Sequence, residues 1–221
     1  MYRVWLHKGL EPVSDNPLPG QLALFSVTAL CKPDPERLKT LRAEAILCHK
    51  CDLRKTCKQV VLGEGKVDRP LIAFVGEAPG INEDAQGLPL VGTAGDLLNR
   101  MIQAMQLKRE DMYFVNTVGC HPPDRSPTRE EVASCREWFI GQLRFIQPQM
   151  LVALGAAAAN VLLETKKPEA LTKLRGSWHE WQGLPLRVTF SPAHLHRNPL
   201  DKAYAWVDLQ EVLKRLKLQA T

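Results

Sequence analysis

Four of the six cysteines in this 221-residue chain fall into a spaced set. Cys48 and Cys51 form C-x2-C, and Cys120 and Cys135 follow downstream to give C-x2-C-x68-C-x14-C. Four thiolates brought together in a reducing compartment hold either tetrahedral zinc or an iron–sulfur cluster, and spacing alone does not separate the two. The alternative is a set of buried, unliganded thiols. Cys31 and Cys57 stand outside the set and read as small buried hydrophobes. Chemistry-bearing residues also concentrate in three further runs, EAPGINED (77–84), NTVGCHPP (116–123) and SPAHLHRNP (191–199). In the first, Ala78, Pro79 and Gly80 suit a tight turn whose N–H groups face an anion or the edge of a base.

The elements that must position these runs are legible from periodicity. Four β-type segments, LIAFVGE (71–77), MYFVNTV (112–118), MLVALG (150–155) and LRVTFSP (186–192), each precede a helical pattern. That alternation predicts parallel βαβ units and a three-layer α/β/α domain around a four-stranded, mostly parallel sheet. Helices are expected near 34–47, 94–106, 128–146, 155–164 and 199–217, with Asp34 capping the first and a Thr128–Glu131 capping box opening the third. On the first, Leu38, Leu41, Ala45 and Ile46 share helical spacing. In open parallel sheets ligands bind beyond the carboxyl ends of the strands, where all three unusual runs lie. Residues 1–31 mix Pro, Gly and apolar residues without a period and read as a leader, followed by one domain over 32–221. A net charge of +5 favours a polyanionic partner. With no apolar run long enough to span a bilayer and no basic-then-apolar amino terminus, the expectation is a cytoplasmic protein, not bound to membrane and monomeric.

The run GEAPGINEDAQGLPLVGTAGDLLNRMI (76–102), with NTVGCHPP, SPTREEVASC, LRGSWHEW and SPAHLHRNP behind it, resembles the iron–sulfur, or family-four, uracil-DNA glycosylases over about residues 40–217. The resemblance implies a structural [4Fe–4S] cluster on Cys48, Cys51, Cys120 and Cys135. It also implies excision of uracil or another deaminated base from DNA. Glu77 and Glu83 match the water-activating motif, and otherwise read as helix-start acids stabilised by the dipole. Asp84 is a weaker neighbour, and Ala78 stands where other branches of the superfamily carry an aspartate. Asn116 matches the asparagine that reads uracil, because an amide donates and accepts at once. Leu195 and Arg197 match a loop that wedges into the minor groove and touches the backbone. Lys66, Arg69, Arg125 and Arg175 are candidates to extend a basic surface, or are solvated charges.

The chain departs from the family pattern at three places. Leu90 stands where an aromatic residue stacks on uracil, a contact worth roughly 1–3 kcal/mol. Ser191 replaces a histidine expected to donate to the base, and losing one such donor typically costs about 10²–10³ in rate. His194, in the same loop as His196, offers that donor from a shifted position or meets phosphate. The HPPDRSPT stretch is one residue short and carries Asp124, which is a replacement carboxylate or a turn residue. The expected function is therefore a DNA glycosylase with Glu77, Glu83, Ser191 and His194 at the chemistry. Two rivals are a DNA-binding module of the same fold without catalysis and a zinc-stabilised nucleotide hydrolase.

Overall fold

A computed structural model describes residues 32–219; the expected leader lies outside the described residues. The first helix, α1 (Pro35–Ile46), begins where the Asp34 side chain accepts a hydrogen bond from Arg37 N at 3.0 Å. Leu38, Leu41 and Ala45 are buried, whereas Ile46, expected on the same face, is 52% exposed because the helix ends there. A short α2 (Leu53–Thr56) and the two-residue strand β1 (Glu64–Gly65) lead into β2 (Ala73–Gly76). Then come α3 (Ile81–Gln86), α4 (Gly92–Ala104), β3 (Tyr113–Asn116), α5 (Arg129–Ile146), β4 (Leu151–Leu154) and α6 (Ala156–Leu162). The chain closes with α7 (Leu171–Leu174), β5 (Trp178–Trp181), β6 (Leu184–Thr189), α8 (Pro192–Arg197) and α9 (Lys202–Gln219).

The sheet has six strands in the order β1-β3-β2-β4-β6-β5, not four. The four expected strands form its parallel centre, and β1 and β5 add antiparallel edges. Both additions escape a periodicity search: one is two residues long, and the other, WHEW, has no apolar run. Side chains that alternate along each central strand divide between the two faces. Ala73, Val75, Tyr113, Val115, Leu151 and Ala153 meet α1, α5 and α6, while Phe74, Met112, Phe114, Val152 and Leu154 meet α4 and α9. Each fully buried side chain of this size contributes about 1.5–3 kcal/mol. On the second face a sealed ion triad pins α9 to the sheet: Asp208 accepts from Arg187 of β6 at 2.8 Å and from Arg175 at 3.0 and 3.1 Å.

The expected capping box is formed, with Glu131 N donating to Thr128 Oγ1 and Thr128 N donating back to Glu131 Oε2. The SPAHLHRNP run, expected as a loop, instead contains α8. Ser191 caps that helix by accepting from His194 N at 3.2 Å, and Pro192 occupies its first turn, where a missing N–H costs nothing. Among the described residues no helix is long and apolar enough to cross a membrane.

Candidate active site

The register of β2 on β3 sets Gly76 directly beside Asn116 at the carboxyl ends of the two strands. Beyond them opens a cleft of about 420 Å³ that gathers Glu77, Ala78, Gly80, Glu83, Leu90, Asn116 and Ser191 from four separate stretches of sequence. This cleft lies where the strand ends were expected to place the site. Pro79 does not line this cleft; it is buried, and its carbonyl accepts from His121 Nδ1 at 2.7 Å. His121 went unremarked in the sequence, as did Gly155 and Ala156 at the start of α6, which form part of the cleft wall. The only available signal was a glycine that ends a strand and opens a helix.

Asn116 is the most informative side chain in the cleft. It is 5% exposed, and neither its Oδ1 nor its Nδ2 has a hydrogen-bond partner among the described residues. A buried donor or acceptor left unpaired costs about 1–3 kcal/mol, so such a group is a strain reservoir or awaits a ligand. Gly76 makes room for it, since a Cβ there would run into Asn116 Oδ1. Leu90 packs alongside, in left-handed backbone with φ of 53°, a conformation costing a non-glycine residue roughly 1–2 kcal/mol. Gly95 permits that turn because any Cβ on it would collide with the Leu90 carbonyl.

The two glutamates differ. Glu77 lines both the base cleft and a neighbouring one between α5 and α6, and its carbonyl accepts from Thr117 Oγ1 and Val118 N, which fixes its backbone. Its carboxylate makes no hydrogen bond or ion pair among the described residues. Glu83 is buried and committed, because it accepts from Gly80 N at 2.5 Å and so braces the turn that carries Ala78 and Pro79. Burial pushes its carboxyl up from the usual range, and the backbone donors and nearby His121 oppose that rise. Asp84 is likewise structural, accepting from Lys58 N and Gln59 N.

Several expected site residues sit elsewhere. His194 does not face the base cleft: its Nε2 lies 2.6 Å from Asp201 Oδ2, and its ring stacks on Phe190 at 5.1 Å. Leu195 is 1% exposed, packed with Leu97, Phe190 and Ala205, so it offers no surface wedge. The reason is α8, whose helical spacing turns position 195 inward. Arg197 remains exposed beside these residues. Asp124 takes the turn alternative, exposed with φ of 49°. Lys66, Arg125 and Arg175 are each paired, with Asp111, Glu131 and Asp208 respectively.

The four spaced cysteines line one cavity just past the carboxyl end of β3. Two of their sulfurs accept N–H donors, Cys48 from Trp138 Nε1 and Cys135 from Gly119 N, both at 3.3 Å. As a free thiol Cys135 is pushed up to about 12 by burial, and Cys120 rises for the same reason with Cys57 against it. Among the described residues no three His, Cys, Asp or Glu side chains come close enough to hold a single ion. The cysteine cavity and the base cleft share Asn116 as a common wall.

A sequence profile of the Uracil DNA glycosylase superfamily matches residues 62–215. The chain belongs to this superfamily. It is 42% identical to the Type-4 uracil-DNA glycosylase of Thermotoga maritima over 153 residues, 68% of this chain and 79% of that protein. It is 35% identical to the Type-4 uracil-DNA glycosylase of Saccharolobus solfataricus over 189 residues, 82% of this chain and 87% of that protein. A Type-5 uracil-DNA glycosylase of Pyrobaculum aerophilum matches over 87 residues at 29% identity, 39% of this chain and 38% of that protein. The superfamily match spans the base cleft from Gly76 to Ala193 and two of the four cysteines, Cys120 and Cys135.

Proposed function

We propose that this protein hydrolyses the N-glycosidic bond of uracil, or of another base with an adjacent carbonyl and ring N–H, in DNA. The observation that carries this is the buried, unpartnered amide of Asn116 facing the cleft, since its donor and acceptor complement such a base edge. A nucleotide flipped out of the stack brings that edge to Asn116, and the base then offsets the amide's desolvation. Glu77, just past the end of the neighbouring strand β2, orients or activates the attacking water as positive charge grows on the sugar. Glu83 acts through the turn: by holding Gly80 N it fixes the backbone that forms the cleft floor, and so serves as a positioning residue. Leu90 closes the apolar side, and Ser191 Oγ, accepting from His194 N, still has a hydroxyl proton to offer.

The four cysteines fit an iron–sulfur cluster: they surround one cavity, and N–H donors reach two of the sulfurs, as they do around sulfur ligands whose charge the metal offsets. Such a cluster would brace the chain between Asn116 and Cys120 and supply no step of the hydrolysis. The protein is expected to act on DNA as a monomer in the cytoplasm.

The test is incubation of the purified protein with a labelled oligonucleotide carrying one deoxyuridine, followed by alkali. Cleavage at that position, lost in Glu77→Ala, supports the assignment. Binding of the oligonucleotide without cleavage, on uracil, hypoxanthine or xanthine, favours a non-catalytic DNA-binding module, for which Leu90 and Ser191 are the specific observations.

A further inference from the structure

A second cleft, of about 690 Å³, lies against the base cleft and shares Gly155, Ala156 and Ser191 with it. Its walls carry Arg175, Arg197 and Tyr204. Arg175 is held from below by Asp208, donates to the Tyr204 carbonyl at 2.9 Å, and lies between the rings of Phe190 and Tyr204 at 5.2 and 5.4 Å. The Tyr204 ring is thus backed by a fixed cation, yet the residue is 57% exposed. Leu200 and Val207, four residues before it and three after, are exposed as well, so one side of this segment presents an apolar ledge. The one carboxylate lining the cleft, Asp201, is engaged by His194, whereas exposed Arg197 pairs with no acid among the described residues. An open aromatic face beside an unpaired cation is the arrangement that stacks a base and grips its phosphate in single-stranded nucleic acid.

We propose that this cleft receives a nucleotide neighbouring the flipped one, with its base stacked on Tyr204 and its phosphate on Arg197. This rests on the glycosylase reading of the adjoining cleft and names its substrate more closely: DNA unstacked at the target and at one flank. Single-stranded or locally opened DNA is then the better ligand. Closed duplex engages the base cleft only after the flanking base also leaves its stack, which costs a few kcal/mol per step.

The test is a cycle read by fluorescence anisotropy with a single-stranded, deoxyuridine-containing oligonucleotide. Its partners are versions in which the 5′ or the 3′ neighbour is replaced by tetrahydrofuran, which lacks a base. Wild type is expected to lose roughly tenfold in affinity when one particular flank loses its base, the effect of one stacking contact. Tyr204→Ala should lose about the same on the intact oligonucleotide and then be indifferent to that flank, while Tyr204→Phe should behave as wild type. Tyr204→Ala binding the intact oligonucleotide as wild type does, or retaining the full flank effect, overturns the proposal. The alkali-cleavage assay on wild type separates the two readings. Uracil excision with no Tyr204 effect leaves the glycosylase standing and removes only the flanking site, whereas a flank effect without excision keeps this site and removes the glycosylase.

Discussion

Asn116→Leu should make the protein more stable and nearly inactive at once. Both amide atoms of Asn116 are sealed from solvent without partners, and each such atom costs about 1–3 kcal/mol. Leucine has nearly the same size and no polar atoms, so the substitution removes that penalty. Against it stands the tight approach of Asn116 Oδ1 to Gly76, which a methyl group must widen, and overpacking of this kind costs typically about 1–3 kcal/mol. The balance is a stabilisation of about 1–2 kcal/mol, or roughly 2–8 °C in midpoint for a domain of this size. Excision of uracil should fall by about 10²–10³, the usual effect of removing one preorganised polar group. Parallel thermal melts and alkali-cleavage time courses on wild type and variant measure both. Destabilisation by more than about 1 kcal/mol would mean that the amide already has partners in the folded protein. Activity retained within tenfold would remove Asn116 from base recognition.

Ser191→His places a larger donor at the mouth of the base cleft and should raise uracil excision by at least tenfold, at a stability cost of about 1 kcal/mol for the lost cap of α8; steady-state kinetics and melts check the two parts. Glu83 binds its proton more tightly folded than unfolded, so its contribution to stability is fully present below the ordinary glutamate range and is lost as pH rises through its raised folded value. Glu83→Gln, which can still accept from Gly80 N, should therefore remove a decline in stability with rising pH that denaturant midpoints between about pH 4 and 7 detect in wild type; identical slopes would contradict the burial effect. Asp208→Ala strands Arg187 and part of Arg175 in the core and should destabilise by about 3–5 kcal/mol in denaturant titrations.

Much of the scaffold could be read without coordinates because its signals are local. The central strands carry near-continuous apolar runs, and the caps at Asp34 and Thr128 sit within three residues of the N–H groups they satisfy. The edge strands β1 and β5 exist only through pairing with β3 and β6, and their own residues carry no period to find. Residues 191–199 show the same limit. Their prolines and histidines read as a loop, but packing against Leu97 draws Leu195 inward, and Asp201, seven residues after His194, captures its ring.

For the site, the amino-acid sequence by itself determined which residues are available: the glutamates, Asn116 and Ser191, in the runs that end or follow the central strands, where a parallel sheet exposes its ligand-binding edge, and the four spaced cysteines. Tertiary structure alone decided their condition. Whether a carboxylate is open, as at Glu77, or committed, as at Asp84 to Lys58 N and Gln59 N, depends on which distant backbone groups fold against it. Asn116 is unpaired for the same kind of reason: β2 brings it a glycine, and the turn before α4 brings it Leu90, neither of which can hydrogen-bond to its amide with a side chain.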